Sequence, residues 1–354
     1  MRLDPAGNLL PKRSRRAVRA RALLAAASGL AVLGAAGCGG TASAGGSVAN
    51  TITIAAVPGV ENASIYLAKK EGLFAAAGLK NVVIKTYSSE AAALGALQSA
   101  QADIAASDYG SIFYQQAQFH DLRILGDGYD AGPGVLEILT LPGTHINSPS
   151  DLAGQQIGLP ADSVLAGLQH AISTNGASTP TSLNAAAATQ VLENYVGNNA
   201  QLVHWHPMSQ ADEVKALEQG TVKAILVGEP FIYQAQSQAG AVEVMDACSG
   251  STAGLPLAGY VAMNAWVKEN PAAVADFQQA LARAQGNASM TGQVQQFLPS
   301  ATGMSAQTAD LITIGSYPTS TNVLSLERVV RLMSGLNMLT PWAPPSVPSM
   351  VVHS

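Results

Sequence analysis

The chain has 354 residues, a length that suits two domains better than one. Hydrophobic content is 48%, but aromatics are only 5% and charges 12%, so the cores are expected to pack Ala, Leu, Val and Ile around few large anchors. Seven of the 18 basic residues and one of the 23 acidic residues precede Cys38, which leaves 11 basic against 22 acidic in the remainder; a body this acidic argues against nucleic acid or anionic lipid as a partner.

The N-terminus reads as an export signal. Residues 12–21 are basic, 22–36 are apolar, and Ala35-Ala36-Gly37 leads into Cys38. A basic segment, a short apolar run and small residues before a cut describe a secretory signal peptide over 1–37. The apolar run is too short for a membrane span, which needs about 20 residues. Small residues running into Cys38 resemble a bacterial lipobox, which implies lipidation of Cys38. Ser14-Arg15-Arg16 also resembles a twin-arginine signal, so the export route stays open. Residues 38–50 are Gly- and Ser-rich, a flexible tether reaching roughly 20 Å. With Cys38 lipidated, Cys248 has no disulfide partner and reads as a small buried hydrophobe.

Beyond the tether, strand and helix patterns alternate. Thr51–Ala56 reads as a strand, Ala63–Ala77 as a helix with Asn62 as a possible N-cap, and Val82–Tyr87 as a strand. A helix at Ala91–Ala100, a strand at Asp103–Ala106, a helix to about Phe119 and a strand at Leu122–Leu125 follow. Val135–Leu141 is a longer strand. The alternation resumes with Gln156–Leu159, helices at Val164–Ser173 and Asn184–Tyr195, a strand at Gln201–His204, a helix at Gln210–Glu218 and strands at Ala224–Val227 and Tyr260–Met263. This rhythm indicates parallel βαβ units in an α/β fold. Asn270-Pro271 starts a helical C-terminal region, and 341–354 is Pro-rich and expected to be irregular. The two halves form a weak repeat. In each, a helix ending in a Gln-containing run precedes a short strand that delivers an acid, Asp108 in the first and Glu229 in the second.

Several short patterns carry a family resemblance: Ile54-Ala55-Ala56 with Pro58, Tyr66-Leu67-Ala68, Glu71-Gly72-Leu73-Phe74 with Gly78-Leu79, and Ala96-Leu97 with Asp103. Asp151-Leu152-Ala153-Gly154, Gly220-Thr221-Val222 with Ala224, and Glu229-Pro230-Phe231 complete the set. Together they resemble the substrate-binding proteins of ABC importers, in the branch for nitrate, sulfonates, taurine and thiamine-pyrimidine precursors. The chain departs from the family in having Ala100 where Gly is common and Lys223 where Asp is usual, and its 176–197 region is longer.

The resemblance implies a two-lobed periplasmic-binding-protein type II fold. Each lobe would be a mainly parallel sheet flanked by helices, with two crossover strands as a hinge, for which Val135–Leu141 and Tyr260–Met263 are the candidates. Lobe 1 would comprise 51–138 and 259–340, and lobe 2 139–258. The ligand would lie between strand ends of both lobes. The candidate contacts are Pro58, Gly59, Glu61 and Asn62; Ser88, Ser89 and Glu90; Ser107, Asp108 and Tyr109; Asp162 and Ser163; Trp205; and Glu229 and Phe231. Asn62, Ser88, Ser107 and Asp108 also suit helix caps. His204 and His206 share a strand face, but no third ligand stands near, so no metal is expected. Trp205 reads as an aromatic wall or as ordinary packing.

None of the four arginines after Cys38 (Arg123, Arg283, Arg328, Arg331) falls in an expected cleft loop, although sulfonate sites usually use arginine forks. Carboxylates and aromatics suit a pyrimidine-like ring instead. The expected protein is an exported, lipid-anchored, monomeric solute receptor without a cofactor, working with an ABC importer permease. The alternative is an enzyme resembling thiamine-pyrimidine synthases that use pyridoxal phosphate and iron. Lys69 or Lys70 would then be a Schiff-base lysine and His204 or His206 a reactive histidine, but the Cys-rich motif of those enzymes is missing.

Overall fold

In the computed structural model Gly45–Ser354 forms one unit, of which residues 51–161 and 180–353 are described. The expected signal peptide, Cys38 and tether lie outside the described residues. So do Asp162, Ser163 and the helix expected from Val164 to Ser173.

Among the described residues this unit contains two five-stranded sheets of the same design. The first holds β1 (Ile52–Ala56), β2 (Val82–Thr86), β3 (Ile104–Asp108) and β4 (Leu122–Asp130). The second holds β5 (Leu136–Thr140), β6 (Gln156–Pro160), β7 (His204–Met208), β8 (Ala224–Gly228) and β9 (Val242–Asp246), and β10 (Pro256–Met263) returns to the first. The strand orders are β2-β1-β3-β10-β4 and β7-β6-β8-β5-β9. In each, three strands run parallel, and an antiparallel strand pairs with the third of them and with an edge strand. Each sheet is therefore mixed, with four strands pointing one way and a single strand, β10 or β5, running against them. β1, β3 and β8 are almost wholly buried, as expected of strands covered on both faces.

The helices are α1 (Ala63–Lys70), α2 (Leu73–Ala77), α3 (Glu90–Gln98), α4 (Tyr109–Phe119), α5 (Leu183–Val196), α6 (Gln210–Glu218) and α7 (Phe231–Ala239). The C-terminal set is α8 (Asn264–Glu269), α9 (Pro271–Ala288), α10 (Thr291–Thr302), α11 (Ala306–Leu311), α12 (Val323–Gly335) and α13 (Val347–Met350). The helix expected over 63–77 is broken at Gly72, whose φ of 70° is left-handed, a conformation that glycine adopts without a Cβ clash. Asn62 does not cap α1; its side chain instead donates to the Val57 carbonyl at 3.0 Å.

Val135–Leu141 and Tyr260–Met263 each lie within one sheet over their ordered length. The chain passes between the sheets at 131–135 and 247–255. These two passages are tied by Ala131 N–H to the Leu255 carbonyl at 2.9 Å and Gly254 N–H to the Ala131 carbonyl at 3.1 Å. The long helix α9 covers the first sheet, stacking Phe277 on Phe74 with ring centroids 6.0 Å apart and packing it edge-on to Tyr260 at 5.8 Å. The tail expected to be irregular docks instead. Val347, Met350 and Val351 are buried, and Val352 N–H donates to the Ile124 carbonyl at 2.9 Å.

Candidate functional site

In both sheets the first parallel strand lies between the other two, so the connections leave it in opposite directions. Ligands of open α/β sheets bind outside the carboxyl ends of strands at such a switch point. Here the two sets of strand ends border one cavity of about 460 Å³, within the usual size range for small-molecule sites.

The loop after β1 contributes Pro58, Gly59, Glu61 and Asn62, the start of α3 contributes Glu90, and the end of β3 contributes Asp108. From the other side come Pro160, Gly228, Glu229, Pro230 and Phe231. Asp108 caps α4, its Oδ1 accepting from Ser111 N–H at 2.8 Å, while its own N–H donates to Glu90 Oε2 at 2.6 Å. Asp108 Oδ2 is buried with no N–H donor. Burial pushes the Glu90 carboxyl well above the usual range, and the charges of Asp108 and Glu61 push it further. Glu229 bridges distant segments, accepting from Tyr233 N–H and from Thr313 N–H, each at 3.1 Å. Burial raises its pKa, and these two bonds oppose the rise.

The other candidates stand elsewhere. Ser88 is exposed, and Ser89 caps α3 by accepting from Ala92 N–H. Ser107 is fully buried. Tyr109 is also fully buried and donates its hydroxyl to Asp127, beneath the cleft. Trp205 is the second residue of edge strand β7, away from the carboxyl ends, and packs half-buried on the core. Asp162 and Ser163 lie outside the described residues.

Sequence reasoning missed Tyr129, Leu183, Asn184, Gln210, Leu257, Thr302, Met304 and Thr313, which also line the cavity. Tyr129 marks a strap, residues 313–317, behind the cleft. Gly315 N–H donates to the Tyr129 hydroxyl at 2.6 Å, Tyr317 donates to the Val60 carbonyl at 2.6 Å, and the two rings lie 5.2 Å apart. No Lys, Arg, His or Cys lines the cavity among the described residues, and no group of three His, Cys, Asp or Glu among them is placed to hold a metal. Cys248 is buried and free, its thiol pushed up to about 12 by burial and by the charge of Asp246.

Residues 60–290 match the family described as NMT1/THI5 like. The chain belongs to that family. No curated protein matches the chain by sequence. Among solved structures, the alkanesulfonate-binding protein SsuA from Xanthomonas axonopodis pv. citri, bound to MOPS, superposes with a TM-score of 0.65 at 16% identity, covering 87% of this chain and all of that one. The periplasmic aliphatic sulphonate binding protein SsuA from Escherichia coli gives 0.65 at 17%, covering 85% and 96%. The desulfurization enzyme DSZB gives 0.58 at 15%, covering 85% and 96%. At these identities the likeness is one of fold, which here carries both binding proteins and an enzyme. No helix among the described residues is long and apolar enough to cross a membrane.

Proposed function

We propose that the protein is an extracytoplasmic solute receptor that captures a small molecule between its two lobes and delivers it to an ABC importer permease. The observation that carries this reading is the shared cavity bordered by equivalent strand ends of both sheets, with acids and apolar walls and, among the described residues, no Lys, His or Cys in its lining. Lys69 is at the far end of α1 from the cleft loop and donates to the Val82 carbonyl, and His204 and His206 lie on edge strand β7. These placements favour the receptor over a Schiff-base enzyme. Family membership and the likeness to SsuA-type folds point the same way. The basic-apolar N-terminus ending in Ala-Ala-Gly-Cys supports export and anchoring through lipidated Cys38, with the body a monomer.

The wall composition favours a pyrimidine-like or other amino-heteroaromatic ligand over a sulfonate. Phe231, Tyr129 and Pro58 offer flat surfaces, and Glu61, Glu90 and Asp108 offer acceptors for ring N–H groups. Asn62 holds the first loop in shape. A thermal-shift screen of the unit from residue 45 onward, against heteroaromatics, sulfonates, nitrate and polyamines, tests this, because a ligand that binds only the folded state raises its melting temperature. Heteroaromatics should give the largest shifts. Shifts from aliphatic sulfonates alone would overturn the ring preference, and turnover of a bound ring would favour the enzyme.

A further inference from the structure

Four carboxyl groups face the cavity: Glu61, Glu90 and Asp108 on one side and Glu229 on the other. Among the described residues no Lys, Arg or His joins them, and the sequence from 162 to 179 adds no Lys or Arg. The acids are not equivalent. Both oxygens of Glu229 accept backbone N–H bonds, so Glu229 contributes field more than a vacant acceptor. Asp108 keeps one oxygen buried with no N–H donor, and Glu90 lies against Asp108 both through the 2.6 Å bond from Asp108 N–H and carboxyl to carboxyl, so the two acids can share one proton and still carry a negative charge. The groups that face Glu90 electrostatically are Asp108 from the end of β3 and Glu61 from the loop after β1, and both oppose its ionisation. An anion entering here would lose its water against like charge. A neutral ring would leave the net negative charge of these acids uncompensated where they are partly buried.

We propose that the solute selected by this cleft carries one delocalised positive charge, as an amidinium, a guanidinium or a protonated amino-heteroaromatic ring does. This rests on the solute-receptor reading and narrows its ligand class. A planar cation presents several N–H donors at once and matches carboxylates side by side. It is also more weakly hydrated than an ammonium ion, and its faces fit between Pro58, Phe231, Pro160 and Leu257. The apolar walls beside the acids suit an organic cation.

Benzamidinium and benzamide, near-isosteres that differ by a charge, provide the test, with ethanesulfonate as the anion. Calorimetric titration of the folded unit with each, up to about 10 mM, should show benzamidinium binding at least about tenfold more tightly than benzamide, a ratio equivalent to about 1.4 kcal/mol, and no ethanesulfonate binding. Asp108→Asn retains a good helix cap and Glu90→Gln retains an acceptor for Asp108 N–H, so both variants should fold and both should erase the preference. Equal or tighter binding of benzamide, or any binding of ethanesulfonate in the cleft, would overturn the charge inference while leaving the receptor reading standing. No binding of benzamidinium would also overturn it. The receptor reading itself falls only if the wider heteroaromatic and anion screen gives no binder.

Discussion

Asp108 and Glu229 occupy closely similar positions in the two lobes: Asp108 is the last residue of the third parallel strand of its sheet, Glu229 the first after the third parallel strand of the other, and both line one cavity. Their bonding differs. Asp108 caps the helix that follows it. Glu229 accepts from the helix that follows and also from Thr313, 84 residues further on.

That difference separates the two roles of Asp108. Asp108→Ala should lose the α4 cap and cost about 1 kcal/mol of stability, whereas Asp108→Asn should melt within a degree or two of the parent. Both should weaken ligand binding. Chemical denaturation beside a binding titration checks this. Equal destabilisation by Ala and Asn would contradict the cap assignment.

Glu229→Ala should cost about 1 kcal/mol, because it removes the acceptor of a part-buried Tyr233 N–H and of an exposed Thr313 N–H that water can satisfy. Hydrogen exchange should show faster exchange at the Thr313 and Tyr233 amides in this variant, with the amides of α9 unchanged.

How far the sequence revealed this site depended on how local each signal was. The Pro58–Asn62 turn, Glu90, Asp108 and Glu229-Pro230-Phe231 were all legible, because a strand, a polar turn and a helix start lie together in the chain. Trp205 was misplaced because β7 begins at His204 rather than ending there, which moves the indole from beyond a strand end to the strand's second position. Tyr109 follows its cap so closely that it resembles a cleft residue, yet the first turn of α4 aims it into the core at Asp127. Thr313, Met304 and Tyr129 gave no local signal, since the strap reaches the cleft only after the C-terminal helices have packed. The fold class was legible from the alternation of elements. The mixed order of each sheet was not, because β10 enters the first sheet from over a hundred residues away.

Close packing beneath the cleft gives a third expectation. A Cβ at Gly259 would overlap the Tyr109 hydroxyl, so Gly259→Ala must move the ring that Asp127 holds. Overpacking of this kind costs about 1–3 kcal/mol. Gly95, with open space around it, should accept Ala without loss. Parallel melts of the two variants test the contrast.

Stability should fall as pH rises. Burial raises Asp127 to about 6 and Asp130 and Glu137 each to about 7, with neighbouring acids adding to the last two. Unfolded carboxyls release their protons near pH 4, while the folded forms hold them until pH 6–7. These groups therefore contribute their full share of stability below about pH 4 and lose it progressively up to about pH 7. The melting temperature should decline across that window and level off above it. Asp130→Asn, at an oxygen with no hydrogen bond, should flatten the decline.

The most direct test of the central claim is the crystal structure of the complex with the strongest binder from the thermal-shift screen. The account predicts ligand density between Asp108 and Glu229, with ring N–H groups directed at Glu90 and Asp108 and a ring face on Phe231. Density confined to another surface, with this cavity left to water, would contradict it.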